Sequence, residues 1–409
     1  MKHNLPENFM GTFRRQVKLV KLIGIDIFGG SNNFVKKYGR LIIFSIFLTH
    51  MFVGQILYVV RKDEIGADFL EVVSAIPTIF IIIQDYIKML IVSRKTSEIR
   101  DVIIRMGEIW PKDVGNGEKL KIVSFWTKRL QTFDNDYIYI IFFSVFCSGA
   151  IICLIFLELL PLTFTIYDMN TKTDAEYLFP LQIYYFCFID SHFKYMLAYV
   201  YQCVVLTLVH MCIYISCEFL LVDIIFDLIA LYSILRVDLE NIVKHTETSN
   251  FNFEEDYCED IKYFVVLHQK LLSIVEDVND IFGIVIFSQV SLSSVMICCY
   301  GFMLAKGQFV KYMTATMGMM LEIFILSYPG QISAISDAAY HCYWMMRGKR
   351  FRKYIVTIMA RSQKPCRLSA LGFSYLTLNM FSKVSLPWYV SAMLGITTIF
   401  ILWILFMTL

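Results

Sequence analysis

Residues 326–384 read LSYPGQISAISDAAYHCYWMMRGKRFRKYIVTIMARSQKPCRLSALGFSYLTLNMFSKV. An apolar run closes at Tyr328-Pro329-Gly330, where proline removes a backbone donor and stops a helix. Small and aromatic residues follow at Gly330, Ser333, Ser336, Ala339, Tyr340 and Trp344, then a basic patch of Arg347, Lys349, Arg350, Arg352 and Lys353. Beyond Arg361-Ser362-Gln363-Lys364-Pro365 the chain turns apolar again. Lysine and arginine crowded between two apolar runs mark a cytoplasmic link between membrane spans.

Working outward, the composition agrees. The 409 residues are 57% hydrophobic with a mean hydropathy of +0.60, whereas soluble domains average about 45–50% apolar. Several stretches have the roughly 20 apolar residues needed to cross a hydrocarbon core of about 30 Å. Spans are predicted at 41–60, 72–92, 137–160, 195–217, 282–305, 312–334 and 385–407. All are predicted to be helices, because an open strand in lipid leaves backbone groups unsatisfied. The fourth is expected to continue beyond the membrane as a polar helix through Asp223, Asp227, Arg236 and Glu240. A net charge of +2 gives no support to a nucleic-acid partner. No short apolar core with a cleavage site occurs in the first 40 residues, so the first span is expected to direct insertion. No internal repeat is evident, which argues against an inverted-repeat transporter.

Orientation follows from the basic residues. With the N-terminus inside, thirty Lys and Arg fall in inner segments and six in outer ones, Lys88 lying within a span. That bias predicts a cytoplasmic N-terminus and, after seven spans, an extracellular C-terminus. The reverse holds for G-protein-coupled receptors, and neither an Asp-Arg-Tyr after the third span nor an Asn-Pro-x-x-Tyr in the seventh is present. The expected fold is thus an all-α membrane protein of seven helices. Its parts are a cytoplasmic segment 1–40, six helices over 41–334, a cytoplasmic segment 335–384 and a seventh helix over 385–409.

Seven of the eleven cysteines (Cys147, Cys153, Cys203, Cys212, Cys217, Cys298, Cys299) fall in apolar spans and three (Cys258, Cys342, Cys366) on the cytosolic side, where thiols stay reduced. Only Cys187 lies near the outer surface. No CxxC occurs, no His pair has metal-site spacing, and no nucleophile elbow, P-loop or dinucleotide fingerprint is present. No enzyme activity and no cofactor or metal is expected. His50 and His210 read as satisfied core residues.

Charges within spans are functional candidates. Asp85 and Lys88 lie one turn apart on the second span and are expected to pair. Glu322 has no basic residue within a turn of its own helix; a protonated acid, a water contact and a ligand contact all fit it. Between Lys349 and Gln363, the residues Phe351, Tyr354, Ile355, Ile358 and Met359 form an apolar stripe on a basic helix. Such a helix either lies on the inner leaflet or packs between subunits.

The stretch quoted above resembles the C-terminal third of insect odorant receptors. That family shows a Gly, two spaced Ser, a Tyr and a Trp after its sixth span, then an Arg-Ser/Thr-Gln-Lys-Pro box before the seventh. The resemblance implies a mostly apolar pocket for volatile ligands in the outer half of spans two, three, four and six. There it points to Ile79, Phe80, Gly149, Cys153, Phe156, Met196, Tyr199, Tyr312, Thr316, Met319 and Met320; without it, the same residues read as helix packing. It further implies a cation channel, a hetero-tetramer with the shared odorant co-receptor, in the plasma membrane of olfactory dendrites. Membrane lipid is the other expected partner. The Thr-Tyr and Gln-Phe ending of gustatory relatives is absent, and the Glu218–Ile281 segment is much shorter than the co-receptor's loop. Both features point to a ligand-specific subunit, with a gustatory-type or homomeric channel as the alternative. Aligning Phe381 with the family's Phe at the start of the last helix places Leu394 at the pore gate. The chain departs from the family at Leu386-Pro387-Trp388-Tyr389 and in the run that follows.

Overall fold

The computed structural model describes residues 5–29, 34–66, 68–111, 121, 124–125, 179, 181–185, 191–248, 254–306, 309–327, 348–362 and 368–383. Within them the chain forms helices α1 (Glu7–Leu22), α2 (Phe34–Val60), α3 (Lys62–Ile65), α4 (Phe69–Arg94) and α5 (Thr96–Ile109). After residues outside the described set come α6 (His192–Val204), a π-helical segment (Val205–His210), α7 (Met211–Thr248), α8 (Glu254–Ala305), α9 (Phe309–Ser327) and α10 (Lys349–Ser362). A short hairpin of β1 (Ser369–Ala370) and β2 (Ser374–Tyr375) precedes a last helical stretch over 378–383. The third and seventh spans expected from the sequence lie outside the described residues.

Length and outward chemistry set the architecture. Among the described residues, three helical stretches, Tyr38–Val60, Phe69–Arg94 and Ile261–Ala305, are long and apolar enough to cross a membrane, and Ala315–Ser327 is a shorter apolar helix. Helix α8 has 52 residues, about 78 Å at 1.5 Å per residue, more than twice a hydrocarbon core. It therefore extends well beyond the bilayer. The faces of α2, α4, α8 and α9 that point away from the bundle carry large exposed apolar side chains, among them Ile46, Val60, Phe69, Leu90, Val295, Phe302 and Met317. In water such surface is an aggregation liability; against lipid it is the ordinary exterior.

Helix α7 corrects the expected polar extension of the fourth span. Nearly every residue from Ser216 to Leu235 is buried, Asp223 and Asp227 included at 0% exposure. A helix apolar on almost all sides belongs in a core, and α7 is surrounded by α1, α4, α5 and α8. Helix α1, within the segment expected only to be cytoplasmic, supplies part of that wall. Phe9, Phe13 and Val20 are fully buried, and Ser216 Oγ donates to the Leu19 carbonyl at 3.0 Å. Gly107 of α5 permits the close approach of α1, since a Cβ there would lie 2.7 Å from Leu5 Cδ2 and 2.8 Å from Phe9 Cε1.

Helix α10 buries Phe351, Ile355 and Ile358 and packs on α8, with Arg361 Nη2 3.5 Å from Glu276 Oε1. The stripe seen in the sequence is thus covered by protein rather than by a leaflet. The hairpin pairs Ser369 with Tyr375 and Ala370 with Ser374, turning through Leu371 and Gly372 at φ 52° and 79°. It is held to α8 at three successive turns: the Ser369 N–H donates to Asn279 Oδ1 at 2.9 Å, Leu371 covers Gly283, and Phe373 meets Phe287 at 5.6 Å.

Candidate functional site

Among the described residues, two apolar clusters form the interior of the bundle. The larger runs through α7, the lower part of α8, α1 and α5. A smaller one stands apart: Met296, Tyr300, Met303 and Leu304 of α8 with Tyr312 of α9, edged by Leu70, Val73, Phe80 and Ile81 of α4 and by Met313, Ala315 and Met319. It lies where α4 and α9 begin and α8 ends, the end that the charge bias predicts to face outside. The Tyr300 and Tyr312 rings are 5.7 Å apart. Thr316 is buried, and its hydroxyl donates to the Tyr312 carbonyl at 2.7 Å.

Of the pocket residues expected from the sequence, the structure brings Phe80, Tyr312 and Met319 together here. Met319 touches both clusters, and Met320 belongs to the larger. Ile79 is buried but in neither cluster. Tyr199 is buried on α6, 5.7 Å from the Tyr195 ring, and Met196 is 42% exposed. Gly149, Cys153, Phe156 and Leu394 lie outside the described residues. Helix α8 is not among the expected pocket elements, although Met296, Tyr300, Met303 and Leu304 recur at i, i+4, i+7 and i+8, the stripe of one helix face. A separate groove of about 250 Å³, between α5 and α8 and lined by Arg105, Tyr263 and Lys270, lies far along α8 from this cluster.

One turn beyond the smaller cluster the three helices turn polar together. Gln84 of α4 donates from Nε2 to Ser293 Oγ of α8 at 3.2 Å, and Gln289 of α8 donates from Nε2 to Glu322 Oε1 of α9. Lys88 Nζ lies 2.5 Å from Glu218 Oε1 of α7 and 3.2 Å from Glu322 Oε1. Its third side faces the Tyr214 ring, 4.8 Å from the centroid. Asp85 Oδ2 meets His210 Nδ1 at 2.6 Å, at the end of the π-helical segment.

This layer corrects the expected Asp85–Lys88 pair: each takes a partner on another helix. Glu322, isolated along its own helix, is paired across the bundle. Lys88, Glu218 and Glu322 are all under 5% exposed, and removing one partner of such a pair leaves a buried charge, at a cost of about 3–5 kcal/mol. His210 is satisfied by Asp85, as expected; His50 is exposed rather than in the core and is held by Tyr201 Oη at 2.8 Å. Among the described residues, no group of three His, Cys, Asp or Glu could hold a metal ion. Cys203, Cys212, Cys217, Cys298 and Cys299 are free thiols.

Apolar helices with a lipid-type exterior, enclosing an apolar cluster with buried ion pairs beneath it, define a helical membrane protein. The chain belongs to the insect odorant receptor family, whose model, described as 7tm Odorant receptor, matches residues 68–389. It is 24% identical over 394 residues to the putative odorant receptor 92a of Drosophila melanogaster, covering 89% of each chain. Odorant receptor 85b of the same fly is 29% identical over 168 residues, 38% of this chain and 42% of that one. The fold is similar to the solved olfactory receptor OR5 of Machilis hrabei in complex with eugenol, with a TM-score of 0.71 at 13% identity, covering 96% of this chain and 100% of that one. A second OR5 structure gives a TM-score of 0.69. The chain is an odorant receptor and not an enzyme.

Proposed function

We propose that this chain is the ligand-specific subunit of an odorant-gated cation channel, assembled as a hetero-tetramer with the shared odorant co-receptor. It crosses the plasma membrane of olfactory dendrites seven times, with its N-terminus inside and its C-terminus outside. The observation that carries this reading is the smaller apolar cluster, distinct from the main core and built of Met, Tyr and Phe side chains on α4, α8 and α9. Such side chains adapt to a ligand by shape and dispersion rather than by directional bonds, which suits small volatile molecules. That the similar OR5 has been solved in complex with eugenol supports a small-molecule ligand at such a site. Gly149, Cys153 and Phe156 of the third span complete the pocket in this reading, with Ile79, Met196, Tyr199, Thr316 and Met320.

Binding at that end displaces helices that lead toward the last segment. A ring of Leu394 side chains, one from each subunit carrying it, closes the pore by excluding water and opens with a modest widening. The test is an odorant-evoked current recorded from cells expressing this chain with and without the co-receptor. The reading predicts current only when both are present. Current from this chain alone would favour a homomeric channel, and no current in either case would sink the channel assignment.

A further inference from the structure

We propose that Lys88 is a positioning residue that couples the apolar cluster to the rest of the bundle and so sets the concentration at which ligand opens the channel. The proposal rests on the reading of the chain as an odorant-gated channel. Three groups surround the Lys88 ammonium: Glu218 Oε1 as an ion pair at 2.5 Å, Glu322 Oε1 as a hydrogen bond at 3.2 Å, and the face of the Tyr214 ring. Tyr214 and Glu218 stand one turn apart on the same face of α7, Glu322 comes from α9, and the lysine itself from α4. One cation therefore serves two carboxylates on two different helices. If α7 and α9 part, it follows only one of them, which gives the clamp two discrete arrangements. Elements with two discrete arrangements carry coupling between distant sites, and switching is among the best-attested uses of buried ion pairs.

The clamp is wired at both ends. On α9, Met319 packs in the smaller cluster one turn before Glu322. Two residues beyond Glu322, Phe324 meets Phe381 of the last described helical stretch at 5.4 Å. On α4, Phe80 and Ile81 edge the same cluster two turns before Lys88. A molecule that moves α9 relative to α4 therefore acts on the Lys88–Glu322 contact directly, while the shorter contact to Glu218 holds the lysine to α7. A brace lies beside it: Asp85, one turn before Lys88, fixes His210 at the end of the π-helical segment. A π-helical turn is a register fault frequent at functional sites, and this one separates the aromatic α6 from the clamp-bearing face of α7.

The test uses the full receptor expressed with the co-receptor and a panel of aliphatic alcohols, esters and ketones together with aromatic alcohols. Responses are normalised to receptor at the cell surface. The variants are Lys88→Met, Lys88→Arg and the charge-free triple Lys88→Met/Glu218→Gln/Glu322→Gln. We expect Lys88→Met to shift the half-maximal concentration of every active odorant by about tenfold or more, within the range of allosteric couplings. The order of the odorants should stay unchanged, and Lys88→Arg should return the curve most of the way. The triple variant removes the unpaired buried charge and should restore surface amount while keeping the shift; if Lys88→Met does not reach the surface, the triple carries the test alone. A triple variant whose curve matches the unaltered receptor would overturn the proposal, leaving the clamp a packing feature. So would a shift confined to a few odorants, which would make Lys88 part of the ligand site. No current from the unaltered receptor to any odorant would instead sink the channel reading, and the coupling role with it.

Discussion

Phe80 and Met319 meet in the smaller cluster from two helices, and neither side chain has a polar atom to satisfy beyond a weakly accepting thioether. Shortening either changes the shape of an apolar site without stranding a charge. Phe80→Ala and Met319→Ala are therefore expected to reorder an odorant panel, with changes of roughly 10- to 200-fold for individual ligands, at nearly constant surface expression. Equal loss of surface protein with the odorant order intact would mark both as packing residues. At this scale the sequence was partly legible. Phe80, Tyr312 and Met319 lie on predicted apolar faces and do converge, because a helical stripe is local information. The partners of Asp85, Lys88 and Glu322 were not legible. Spacing of one turn made Asp85 and Lys88 look like a pair, but their partners come from residues up to 234 positions apart, and only the assembled bundle decides between them.

Among the elements, helix existence followed from hydropathy wherever lipid is the solvent on one side, as in α2, α4 and the latter part of α8. Failure came where protein is the solvent. Helix α1 was not foreseen, although Phe9, Phe13 and Val20 form a stripe, because it is too short and too basic to read as a span. Helix α7 was expected to be polar because its few acidic residues were counted and their burial was invisible. The contact between α1 and α5 gives a direct test. Gly107→Val would push a branched side chain into Phe9 and Leu5, an overpacking cost of about 1–3 kcal/mol. Thermal melting of the purified receptor in detergent should fall, with Gly107→Ala milder because it adds a single methyl against Leu5 and Phe9 rather than a branched side chain. Unchanged melting of Gly107→Val would mean that α1 does not pack there.

Across the whole molecule, the chain arranges an apolar cluster, a layer of buried charge and a long helical extension in that order along one axis. Which end is outside was drawn from thirty basic residues against six, a statistical property of loops that owes nothing to the packing. The assignment of the cluster to odorants and of α10 and the hairpin to the cytoplasm depends on that orientation. It also separates this receptor from seven-helix receptors of the opposite sense. The decisive measurement is antibody access to epitope tags on intact and permeabilised cells. A C-terminal tag should be stained on intact cells, and an N-terminal tag only after permeabilisation. An N-terminal tag stained on intact cells, with a C-terminal tag that needs permeabilisation, would contradict the account.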